Sequence, residues 1–149
     1  MEHRDQLPAW APRFGYAGVI PQAVFAAMAV AGGGAKWIAQ AGGFAYAALI
    51  FSFLGGVWWA QALTAPAPKL RHFAVAVAPS LIGLACFMPW VLGLPWPAPY
   101  LAVLGVLLAL SPLADRQLFG QNRPAPAWLT LRGRLSVMLG ALTLVLAFA

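Results

Sequence analysis

One stretch constrains this chain more than any other: GGFAYAALIFSFLGGVWWAQALT, Gly42 to Thr64, which carries no charge. As a helix rising 1.5 Å per residue, it is long enough to cross a hydrocarbon core of about 30 Å. Every fourth residue from Ala48 gives Ala48, Ser52, Gly56 and Ala60, a row of small side chains. Inside lipid, packing rather than water expulsion drives helices together, and small residues let their backbones approach closely. The stretch is expected to be the central helix of a membrane bundle, packed along that row.

Four more apolar runs accompany it, so the expected spans are roughly 14–31, 42–64, 72–92, 100–114 and 128–149. The chain is 62% hydrophobic and 8% charged, against about 25% charged for a soluble domain. No water-soluble fold of this size hides so much apolar surface. The fold class is therefore all-α: an integral membrane bundle of five transmembrane helices in one domain. Pro21 beside Gln22 and Pro79 beside Ser80 are expected to bend the first and third helices, with neighbours satisfying the freed backbone groups. Gly32-Gly33-Gly34 marks a sharp turn. No GxxxxGK[ST] follows it, which excludes a phosphate loop. The uncharged turn Leu94–Tyr100 suits the membrane interface. The last span works if Arg132 and Arg134 snorkel to the surface.

The amino-terminal arm, residues 1–13, holds two of the three acids, Glu2 and Asp5, and an interfacial Trp10. Arg4, Arg13, the first apolar run and Ala29-Val30-Ala31 imitate a cleavable signal peptide. The length of that run and its interruption by Pro21-Gln22 argue for a retained span. Five crossings place the chain ends on opposite sides. Arg4, Arg13, Lys69, Arg71, Arg116, Arg123, Arg132 and Arg134 fall on the amino-terminal side, and only Lys36 on the other. The positive-inside rule then makes the amino terminus cytoplasmic and the carboxyl terminus periplasmic, in a bacterial inner membrane. In an organelle of bacterial origin the matrix takes the cytoplasmic place. Because the basic residues punctuate apolar runs instead of forming a basic face, the net charge of +6 does not indicate nucleic acid.

Chemistry-bearing residues are scarce. Asp115, the only acid beyond the first five residues, closes the fourth run, and Arg116, Arg132 and Arg134 share its side. A structural ion pair with Arg132 and Arg134, tying the fourth span to the fifth, is the simplest role, ahead of a gate or proton-linked carboxylate. His72 at the mouth of the third run reads as an interface residue rather than a ligand, and His3 lies in the arm. Cys86 stands alone, so neither an internal disulfide nor a metal spacing exists. Polar groups within spans include Gln22, Ser52, Gln61, Ser80 and Ser111. They serve either as interhelical hydrogen bonds or, with Trp58 and Trp59, as the lining of a ligand pocket. There is no GxSxG, no HExxH and no Ser/His/Asp set, which argues against an enzyme. No cofactor or metal is expected.

Phe14-Gly15-Tyr16-Ala17-Gly18-Val19-Ile20-Pro21, Phe51-Ser52-Phe53-Leu54-Gly55-Gly56-Val57-Trp58-Trp59, Pro79-Ser80-Leu81 and Asp115-Arg116 together carry a likeness. The pattern resembles a five-span membrane family, domain of unknown function 3429, typified by animal transmembrane protein 69. The resemblance runs from Leu7 to about Leu146 and implies an inner-membrane protein without an assigned activity. Trp59 stands where glycine is the more usual companion of the preceding tryptophan. A looser, architectural similarity to the tryptophan-rich sensory proteins transfers no residues, because their tryptophan-proline signature is missing.

Two functions follow from this sequence. The first is a non-enzymatic accessory or assembly subunit that packs, within the lipid bilayer, against a larger inner-membrane complex. The second is a small carrier or sensor holding an apolar ligand (a tetrapyrrole, a quinone or a lipid) near Gln22, Trp58, Trp59 and Gln61. An enclosed cavity of a few hundred Å³ at those residues favours the second, and a dry, filled interior there removes it.

Overall fold

The structure, a computed structural model, describes residues 7–118 and 126–149. His3, most of the amino-terminal arm, Arg4, Arg123 and most of the polar segment before the last span lie outside the described residues. Among the described residues six α-helices follow one another: α1 (Trp10–Ala17), α2 (Ile20–Ala31), α3 (Lys36–Thr64), α4 (Leu70–Val91), α5 (Ala98–Leu118) and α6 (Pro126–Phe148). No strand occurs among the described residues. Together α1 and α2 make one crossing, so five helical units are long and apolar enough to span a membrane.

The first crossing breaks at Gly18–Val19 rather than at Pro21. Proline is tolerated in the first turn of a helix, where its missing N–H has no partner to lose. Pro21 accordingly sits in the first turn of α2, second after Ile20, and the break falls before that turn. Tyr46 Oη reaches across from α3 and donates to the Gly18 carbonyl at 2.5 Å. The next reversal uses Gly32 and Gly33, both at φ 75°, a conformation that side chains resist.

At 29 residues, α3 is about 43 Å long by helical rise. It starts six residues before the charge-free stretch, at Lys36. The polar groups in that extension find partners on the end of α6. Lys36 Nζ donates to the Ala149 carbonyl oxygen at 2.6 Å, and Gln40 Nε2 to that of Leu146 at 3.0 Å. At the other end of α3 the chain turns into α4, where the Lys69 backbone N–H donates to Nδ1 of buried His72 at 3.2 Å. His72 thus acts as a helix cap reaching back from the third position.

α3 sits in the middle, against α2, α4, α5 and α6, while α5 and α6 pack closely on each other. The inner face of α3 is Ala47, Phe51, Leu54, Trp58 and Ala62. Leu101, Leu104 and Leu108 of α5 and Leu146 of α6 fill the interior beside it. The small-residue row behaves differently from expectation. Ala48 faces Gly83 of α4, and Ser52 Oγ lies 2.7 Å from Ser80 Oγ, but Gly56 and Ala60 are exposed. Each step of four residues turns a helix by about 40° beyond a full circle, so four such residues sweep about 120°. Half of the row meets α4 and the other half faces outwards.

Candidate functional site

Three helices place polar side chains at one buried point. Ser111 and Asp115 are one turn apart on α5, and Arg132 and Ser136 are one turn apart on α6, so each pair shares a face. Trp58 arrives from α3. Its indole Nε1–H donates to Asp115 Oδ1 at 2.6 Å. Arg132 Nε lies 3.2 Å from Asp115 Oδ2, with side-chain exposures of 10% and 2%. That approach is an ion pair whose angle falls short of a hydrogen bond. Arg132 Nη1 donates to Ser136 Oγ at 2.9 Å. Ser111 Oγ lies 2.7 Å from the Leu108 carbonyl and 3.1 Å from Ser136 Oγ. One hydroxyl carries one proton. Ser111 is the donor in both contacts, so its proton is shared between the Leu108 carbonyl and Ser136 Oγ.

The cluster balances one negative against one positive charge in a low-dielectric interior. Arg134, expected in the ion pair, is exposed instead. It lies two residues beyond Arg132, about 200° around α6, and so faces away from Asp115. Trp58 as a partner of the carboxylate, and Ser136 as a partner of the guanidinium, were not legible in the sequence. The one-turn spacing of Ser111 to Asp115 and Arg132 to Ser136 is the available signal.

The six residues expected to line one pocket do not converge. Gln22 is fully buried and donates from Nε2 to Thr143 Oγ1 at 2.8 Å. Ser52 and Ser80 bind each other in an open groove lined by Trp37, Phe44, Phe87, Trp90 and Trp96. Trp58 points into the bundle, whereas Trp59, 43% exposed, packs edge-on against Phe73. Consecutive residues on a helix point about 100° apart, so this tryptophan pair cannot share one site. Gln61 Oε1 is buried without a hydrogen-bond partner. Thr143→Val removes the acceptor of the Gln22 bond. Because hydrogen bonds between membrane helices average about 0.6 kcal/mol, it is expected to lower stability by less than about 1.7 kcal/mol in denaturant titration of the detergent-solubilised protein.

A cavity of 440 Å³ does exist, next to the ionic cluster, between α1, α3 and α6. Val57 and Leu135 form its apolar walls, Trp128 and Arg132 line one side, and Phe14 and Phe53 edge it. Phe14 and Phe53 are 73% and 67% exposed, so the cavity opens towards the lipid-facing surface. The remaining guanidinium nitrogen, Arg132 Nη2, is buried and has no hydrogen-bond partner. Among the described residues, no group of three or more His, Cys, Asp or Glu side chains is placed to hold a metal ion.

The family profile described as "Protein of unknown function (DUF3429)" matches residues 7–148. The chain belongs to that family. No curated protein and no solved structure matches it. For this DUF3429 chain the family thus brings no assigned activity, the membrane setting rests on the chain's own apolar helices, and any function has to be argued from the cavity and the ionic cluster beside it.

Proposed function

We propose that this DUF3429 protein is a non-enzymatic membrane protein that holds a lipid-soluble ligand between α1, α3 and α6. One observation carries the reading: a 440 Å³ apolar cavity, open towards lipid, with a buried guanidinium on its wall. An engineered cavity of about 150 Å³ lined by apolar side chains already binds benzene. The space here accepts a ring and part of a chain. The cavity is open rather than enclosed and is lined by other residues than those expected, but its size and apolar lining support the carrier or sensor over the accessory subunit. It adjoins Trp58 through Val57, one helix face away from the residues expected to form it. The reading includes an inner-membrane location with the amino terminus inside, supported by the distribution of basic residues and the likeness to animal transmembrane protein 69.

The test is lipid extraction and mass spectrometry of protein purified without delipidation. A stoichiometric small molecule is expected with the native chain and is expected to be reduced in Val57→Phe, whose ring intrudes into the cavity. Equal retention by both would place the ligand elsewhere. A co-purifying membrane complex with no small molecule would return the accessory-subunit function to first place.

A further inference from the structure

We infer that this cavity takes the hydrocarbon tail of a membrane lipid and leaves the lipid's head group outside. This rests on the cavity being a binding site, and adds the chemical class that the site selects. Its walls are aliphatic: Ile50, Leu54 and Val57 of α3, Leu108 of α5, and Leu131 and Leu135 of α6. Three lining residues carry polar side-chain atoms: Trp128, Arg132 and Ser136. Two of these spend their polar atoms inside the ionic cluster. Arg132 turns Nε to Asp115 and Nη1 to Ser136, and its Nη2 is buried out of reach of the space beside it. Ser136 is 2% exposed, and its Oγ accepts from Arg132 Nη1 at 2.9 Å and from Ser111 Oγ at 3.1 Å. Trp128 stands in the first turn of α6, where the last span begins. Tryptophans at that level of a span sit among the lipid head groups.

The depth of the cavity therefore offers a ligand no side-chain hydrogen bond. A polar atom carried into it gives up its partners outside and gains none, which opposes binding. A methylene carries no such penalty. It gains a small dispersion contact with each wall atom, and these add up along a tail. The opening between Phe14 and Phe53 faces hydrocarbon, so a tail enters sideways from the surrounding lipid. Its head stays at the interface, on the side of Trp128. Of the three ligand classes read from the sequence, the lining favours the lipid. The nitrogens of a tetrapyrrole and the carbonyls of a quinone would go unpartnered inside. Acyl chains and isoprenoid tails share the chemistry that fits.

The experiment titrates the full chain, in a non-ionic detergent, with methyl oleate, methyl ricinoleate, oleyl alcohol and phytyl acetate, reading occupancy by native mass spectrometry. Methyl ricinoleate differs from methyl oleate by one hydroxyl halfway along the tail. It is expected to bind about tenfold more weakly, the order of loss for burying a hydroxyl without a partner. Oleyl alcohol keeps the oleyl tail and changes the head, and is expected to match methyl oleate. The oleyl and phytyl arms distinguish an acyl from an isoprenoid source. Val57→Phe is expected to weaken methyl oleate binding. Methyl ricinoleate binding as tightly as methyl oleate, or a change of head mattering more than the mid-tail hydroxyl, overturns the inference while the cavity reading survives. Binding of no probe overturns both. The matched probes need only the native chain, so the test stands even if Val57→Phe does not fold.

Discussion

Asp115→Leu is expected to destabilise the bundle by about 3–5 kcal/mol, the usual consequence of removing one partner from a buried ion pair. The Arg132 guanidinium would be left buried with its counter-charge gone, and the Trp58 indole N–H would lose its acceptor. Asp115→Asn should fall between this variant and the native chain, because its amide oxygen still accepts from Trp58. The double variant Asp115→Leu/Arg132→Met should recover most of the loss, since replacing both charges by apolar groups of similar size is often neutral. Denaturant titration of the four proteins in one detergent reads all three differences. Equal stability of Asp115→Leu and the native chain would mean that Arg132 escapes to water, and that the buried pair is not what joins α5 to α6.

The second large effect concerns two adjacent glycines on α3 with opposite expected outcomes. A Cβ placed on Gly55 falls on the Ala76 carbonyl oxygen and lies 3.3 Å from Pro79 Cγ. Backbone oxygen and a proline ring cannot swing aside, so Gly55→Ala must push α3 from α4. Overpacking of this kind costs about 1–3 kcal/mol. A Cβ on Gly56 meets nothing within 4 Å. Gly56→Ala should therefore be neutral or stabilise the helix by up to about 1 kcal/mol through its lower conformational entropy. Thermal unfolding of the two variants side by side measures the contrast. Similar behaviour would show that α3 and α4 do not approach at Gly55.

The five crossings were legible because apolar length speaks for itself in lipid. Their ends were less so. Lys36 and Gln40 look like the residues of a loop, yet both belong to α3 because the end of α6 supplies acceptors for them. The small-residue row at every fourth position suggested one packing face, but a helix turns faster than that spacing, and the close approach uses Gly55 instead of Gly56. Asp115 was legible as an ion-pair partner through its isolation among basic residues. Which arginine it meets depends on helix phase, and that phase favours Arg132 over Arg134. The cavity had no signal of its own. It arises from how the break at Gly18–Val19 sets α1 against α3 and α6, a geometry that no single residue encodes.

The most direct test is an experimental structure of the protein taken into nanodiscs with its native lipids. We expect elongated density between Phe53, Val57 and Leu135, reaching Arg132 on the cavity wall. Side chains collapsed into that space, or an Arg132 turned out to water with the cavity closed, would contradict the account.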